Sequence, residues 1–394
     1  MYSLTCPSSG QEDEYVFQHN KLLLTKENIC GFEVVLLAFL SVVPLINISN
    51  TGIEQLALSV TLVVLLLMFF QNIRVIGKRL RFLIIYLNAA SIMITVCFHG
   101  GFGSAVMAMN LILVAMIYNN IEINQTIYVR LHLFLAVVLS LYIITADISY
   151  IWTTTVTDLF GNTFNSNMFA MFTLAAYLHW ICFLFESRIK GWKRNTSFIA
   201  LSVLSIYLIW ISESRTAIIA ILLFWFLFFF KKNAFRNREF HVLTVLLLIL
   251  SCVFPIIYVA LANKFAGVTV LGKSLFSGRQ DVWKSTFNII KEHPIFGSAN
   301  EILLHDVGGK LTVSTHNMML GLMKMFGIMP SVTVAQQLVN NNSNANFGVR
   351  MKIPQFAFIA TIPCAFFESF YTNSHLYMLF AFFLLEFITK ERNS

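Results

Sequence analysis

Residues 196–230 read TSFIALSVLSIYLIWISESRTAIIAILLFWFLFFF. As a single helix, this stretch would extend about 52 Å at 1.5 Å per residue, well beyond a hydrocarbon core of about 30 Å. The run must therefore fold back as a hairpin. Its only charged residues, Glu213 and Arg215, mark the turn, which leaves Arg215 at a membrane boundary rather than in the middle of a span.

The rest of the chain agrees with a membrane reading. It has 394 residues, 57% hydrophobic and 12% charged, with a mean hydropathy of +0.74. A soluble fold of this size could not cover so much apolar surface. Runs of roughly membrane-spanning length occur at 29–48, 53–73, 82–98, 102–118, 131–146, 168–186, 196–213, 215–230, 242–262, 316–339, 355–370 and 376–389. The expectation is an all-α polytopic protein of about 12 transmembrane helices. Its divisions are a tail at 1–28, nine spans over 29–262, a long loop at 263–315, and three spans with a C-terminal tail over 316–394. Alternating apolar and polar residues do not recur, which excludes an outer-membrane barrel pattern. The first 28 residues lack a basic segment followed by an apolar one, so no cleaved signal is expected.

The charge distribution orients the chain. Of its 27 Lys and Arg, 19 fall in the two tails and in loops 74–81, 119–130, 187–195, 231–241 and 340–354. By the positive-inside rule those loops and both termini are expected to be cytoplasmic. Placed this way, the net charge of +8 orients spans and gives no reason to expect nucleic acid. On the opposite face, the exceptions are Arg215 and Lys264, Lys273, Arg279, Lys284, Lys291 and Lys310 in the long loop, while Lys324 falls inside a span. Positive charge on a translocated face works against insertion. Its concentration in one loop and one turn therefore points to an anionic ligand there.

Within the long loop, Ser277-Gly278-Arg279-Gln280 fits a capping box, with Ser277 at the N-cap and Gln280 at N3. Val282, Trp283, Phe287 and Ile290 then share one side of an amphipathic helix that Pro294 stops, a helix suited to lying on a membrane surface with Trp283 as an anchor. Arg279 falls in its first turn, where free backbone N–H groups suit a phosphate. His316 opens the tenth expected span with Ser314 or Thr315 as its cap, facing the same loop, and is the side chain best suited to proton transfer near neutral pH. Lys324 lies about 12 Å deeper by helix rise, placed to pair with a carboxylate or line a charged cavity. His293, His305 and Asp306 show neither HExxH nor repeated acidic spacing, so no metal site is expected. The six cysteines have no paired spacing.

In order, Ser214-Arg215-Thr216-Ala217, the block from Gly278-Arg279 to Trp283, Pro294-Ile295-Phe296-Gly297, His316-Asn317 and Gly327-Ile328 resemble the motifs of the O-antigen polymerase and ligase superfamily of bacterial cell envelopes. The resemblance covers residues 212–328, and the N-terminal half matches only in hydropathy. It implies an inverting, metal-independent glycosyltransferase without cofactor, in the inner membrane, acting at the periplasmic face. Donor and acceptor would be glycans linked to undecaprenyl diphosphate, with a chain-length regulator and a flippase as further partners. Arg215 and Arg279 would bind the diphosphate, His316 would act as general base or position the acceptor hydroxyl, and Glu213, Lys324 and Asn317 would be auxiliary. The reading favours the polymerase of O-antigen repeat units, with the ligase that moves the finished glycan to lipid A-core as the alternative. A twelve-span transporter or glycolipid flippase is the alternative of another class. Against it, the two halves show no internal repeat and no Gly/Pro-broken helices in matching positions.

Overall fold

The computed structural model describes residues 31–43, 51–71, 106, 109, 110, 113, 114, 117, 122–146, 155–157, 163–230, 237–262, 269–270, 273–274, 279–298, 302–306, 309–313, 315–328, 331–332, 353–364, 379–384 and 386–388. The expected span at 82–98 and both tails lie outside these residues.

The described helices are α1 (Gly31–Val43), α2 (Thr51–Gln71), α3 (Gln125–Thr145), α4 (Ser166–Glu186), α5 (Gly191–Ile211), α6 (Arg215–Phe230), α7 (Asn237–Leu261), α8 (Arg279–Glu292), α9 (Met318–Phe326) and α10 (Ile353–Thr361). α3, α4, α5 and the Val242–Leu261 part of α7 are long and apolar enough to cross a membrane. This is a membrane protein.

α4 sits in the middle because its sequence is apolar on every face. It packs against α3, α5, α6 and α10, and α6 in turn packs against α10. Polar side chains lock the centre: Trp225 Nε1 of α6 donates to the Tyr177 hydroxyl of α4 at 2.8 Å. That hydroxyl lies 2.9 Å from Ser202 Oγ of α5. One tyrosine thus ties three helices together. By contrast, α5 exposes Ile199, Val203, Leu204, Tyr207 and Trp210, and α7 exposes Leu246, Ile249, Val253 and Ile256. Apolar faces of that extent are stable only against lipid.

The 196–230 run does fold back: α5 ends at Ile211, Ser212 caps it, and α6 begins at Arg215. Two expectations need correction. The run 316–339 is not one continuous span, because α9 ends after nine residues at Gly327, which has φ 82°. The run 376–389 does not stay helical, since Glu386–Ile388 is a short strand paired in parallel with Glu122–Asn124. The long loop carries two hairpins besides its helix: Thr269–Val270 with Lys273–Ser274, and Ile302–Asp306 with Gly309–Val313. A further antiparallel pair joins Thr155–Thr157 to Thr163–Asn165.

A second, smaller core forms where α7, α8 and α9 meet. It contains Tyr258, Val282, Trp283 and Leu320, with Phe254, Phe287 and Ile290 against them. α9 joins the two cores, since its Met318, Met319, Leu322 and Phe326 pack into the main one.

Candidate active site

The amphipathic helix α8 is present where the sequence placed it, and Asp281, Lys284, Lys291 and Glu292 are exposed. The expected N-cap residue Ser277 lies outside the described residues, while Gln280, its expected N3 partner, lies in the first turn of α8. Trp283, read as an interfacial anchor, is instead fully enclosed by protein. Its ring lies 4.7 Å from that of Tyr258 on α7, and its Nε1 donates to the Thr315 carbonyl at 2.7 Å. An aromatic meant for a lipid headgroup thus serves as the joint between α8 and the residue before His316.

His316 does not open a helix. Ser314 lies outside the described residues, and Thr315 does not cap α9; Asn317 does, with Oδ1 accepting from Leu320 N at 2.9 Å. The other end of the same amide, Nδ2, donates to the Ser251 carbonyl on α7 at 3.0 Å. Between two anchored neighbours, His316 is held at φ 46°, and Glu213, at the α5–α6 turn, has φ 53°. These are the two non-glycine residues with positive φ among the described residues. Such backbone costs about 1–3 kcal/mol per residue and gathers at functional sites.

Arg215 begins α6 and is partly buried. Burial weighs most against the charge of Arg215, the charge of Arg279 acts against it as well, and Tyr258 favours it. The two arginines, 64 positions apart in sequence, therefore lie within electrostatic reach of one another. Tyr258 links this pair to the histidine, because it also packs on Trp283, which holds Thr315. Arg215, Arg279, His316 and Asn317 thus belong to one neighbourhood.

The Pro294–Gly297 block has a packing role. Gly297 and Gly327, both at positive φ, meet backbone to backbone: a Cβ on Gly297 would overlap Met325–Gly327, and one on Gly327 would overlap Ile295 and Phe296. Ile328 N donates to Pro294 O at 3.0 Å and Ser298 N to Lys324 O at 2.6 Å. Only glycine permits this approach at both positions. Lys324 is buried on α9. Among the described residues no three His, Cys, Asp or Glu side chains gather as a metal's ligands would.

Residues 200–330 match the family model described as O-Antigen ligase. This match supports the O-antigen polymerase and ligase superfamily for that segment of the chain. No curated protein and no solved structure matches the chain. The matched segment runs from within α5 to just past α9, so it contains the α5–α6 turn, α7, α8 and the His316 loop. The superfamily carries glycosyltransferase chemistry.

Sequence reasoning missed the Trp283–Thr315 bond and the role of Pro255. The latter had a signal, a proline inside the apolar run 242–262. Proline has no N–H for the carbonyl four residues back, here Ser251. Asn317 donates to that carbonyl.

Proposed function

We propose that this chain is an O-antigen polymerase, joining undecaprenyl-diphosphate-linked repeat units at the periplasmic face of the bacterial inner membrane. The observation that supports the reading is that Arg215 and Arg279 lie within electrostatic reach of one another. Two guanidinium groups in one another's field favour an anion, and a diphosphate accepts hydrogen bonds from both in their planar, bidentate geometry. Outside the cytoplasm, a lipid-linked glycan is the natural bearer of that group.

In the proposed step, the acceptor sugar's hydroxyl oxygen forms a bond to the donor's anomeric carbon as the bond from that carbon to the diphosphate oxygen breaks, inverting the centre. The hydroxyl proton passes to His316. Undecaprenyl diphosphate departs with its charge held by Arg215 and Arg279, whose cations stabilise what develops in the transition state. Glu213, Asn317 and Lys324 support this site. The step needs no metal, since the two arginines supply the positive charge.

Deleting the gene in its own host and running lipopolysaccharide on a gel tests the assignment. Single-unit caps support polymerisation. Loss of attached O-antigen with accumulated lipid-linked polymer means the ligase, and repeat units trapped inside mean a flippase. In the complemented strain, Arg215→Ala and Arg279→Ala are expected to abolish chain growth at normal protein levels, and Arg→Lys at either position to impair it. Full activity of both alanine variants refutes the diphosphate role.

A further inference from the structure

α7 carries a proline in its interior, and the hydrogen bond it removes is made elsewhere. Thr244, Leu248, Ser251, Pro255, Tyr258 and Ala262 form the buried stripe of this helix. In an unbroken helix the Ser251 carbonyl accepts from the N–H of residue 255. Pro255 has none. The acceptor so freed points out of the helix ladder into a protein interior, where an unmade hydrogen bond is costly. Asn317 Nδ2 donates to it at 3.0 Å.

The same asparagine caps α9 through its Oδ1, so its amide plane is fixed from both ends. Thr315, on the other side of His316, is fixed by Trp283 and by its own Oγ1, which donates to Asn317 O at 3.2 Å. A left-handed histidine is stable only while both neighbours are held. We propose that Pro255 is a positioning residue for the transfer step: by withholding an N–H it reserves the Ser251 carbonyl for Asn317, and this bond sets the backbone, and hence the imidazole, of His316. The inference rests on the reading of His316 as the base.

Two substitutions isolate the bond. Pro255→Ala returns an N–H to α7, so the Ser251 carbonyl regains a helical partner and competes with Asn317. Alanine is the best helix former, and the helix itself should not suffer. Asn317→Asp keeps a good N-cap oxygen but loses the donor. Each is measured with purified protein and, as probe, lipid-linked repeat units isolated from the host deleted for this gene, with His316→Ala alongside. Misplacing a reacting group by about 1 Å costs up to about 10²-fold in rate. The expected result is therefore a fall in kcat on the order of 10- to 100-fold for each, with KM for the donor changed less than about twofold and normal yields of folded protein. Because both variants break one bond, the Pro255→Ala/Asn317→Asp double should lose no more than the worse single.

Wild-type kcat in Pro255→Ala, with His316→Ala inactive, overturns the positioning role and leaves the functional reading standing. Multiplicative losses in the double variant overturn it as well, as does loss of folded Pro255→Ala protein, which would make the proline a shape-setting residue of the helix. Wild-type turnover in well-folded His316→Ala refutes the base itself, a separate failure.

Discussion

Replacing Gly327 by alanine should break the site's framework, and the size of the effect can be worked out against a built-in control. Gly327 has φ 82° and ψ −173°, a region essentially reserved for glycine, where an L-residue costs about 1–3 kcal/mol. The added Cβ also overlaps the backbone of Ile295 and Phe296. Relief requires α9 and the Pro294–Gly297 block to separate, and the bonds at risk are Ile328 N to Pro294 O and Ser298 N to Lys324 O. Buried groups left without partners cost about 1–3 kcal/mol each. Together these give about 3–9 kcal/mol, a large share of the roughly 5–15 kcal/mol by which folded proteins are stable. Gly191 is the control: its φ is 67°, yet a Cβ there meets nothing within 4 Å, so alanine should cost only about 1–2 kcal/mol. Thermal midpoints of detergent-extracted protein, read by gel filtration of fluorescent fusions, compare the two. Gly327→Ala should yield little folded protein or a much lower midpoint, and Gly191→Ala a small shift. Equal shifts would refute the interlock, reducing both glycines to conformational permissiveness.

Tyr177→Phe should lower the midpoint by about 1–3 kcal/mol equivalent, since it strands Trp225 Nε1 and Ser202 Oγ. Adding Ser202→Ala should restore part of the loss. Glu213→Gly should leave stability unchanged or raise it by about 1 kcal/mol, because glycine accepts φ 53° without strain, whereas Glu213→Val should lower it; the same thermal assay reads both. Trp283→Phe keeps an aromatic ring against Tyr258 but removes the donor to Thr315. It should cost about 1–3 kcal/mol in stability and, in a turnover assay on the folded fraction, also slow transfer.

The parts of this fold legible in the sequence were those governed by apolar periodicity and by the mismatch between run length and bilayer thickness. The 196–230 run had to turn at Glu213–Arg215, and it does. α8 had to bury Val282 and Trp283 and expose Lys284 and Lys291, and it does. What the pattern could not give was the partner of a buried face. Periodicity shows that Trp283 is on the apolar side of α8, but lipid and protein are equally apolar, so its enclosure by Tyr258, Phe254 and the Thr315 carbonyl was hidden. Likewise 316–339 is hydrophobic enough to span throughout, and only the backbone of Gly327, which must meet Ile295 and Phe296 closely, ends the helix there. Thr315 and Asn317 are both good capping residues in sequence. The choice fell to Asn317 because its amide has a donor as well as an acceptor, and Ser251 needed the donor.

Among the described residues, three turns around the candidate site leave helical geometry, and in each the backbone groups find fixed partners. At 212–214, Ser212 N and Glu213 N bond to Leu208 O and Trp210 O, and Ser212 Oγ donates to Ile209 O. At 293–298, Gly297 N and Ser298 N bond to His293 O and Lys324 O. At 315–317, Trp283, Ser251 and Leu320 supply the partners. Buried backbone groups left without a partner are costly, so the buried parts of these turns hold where protein satisfies them. Reactive side chains need such stretches, because a helix surface presents its residues outward while a turn can converge them. The same burial that makes these turns costly also makes them rigid: an alternative geometry would strand a polar group inside the protein. A membrane enzyme built this way should therefore lose rate from small changes in its locks, such as a restored N–H at residue 255, well before it loses its fold.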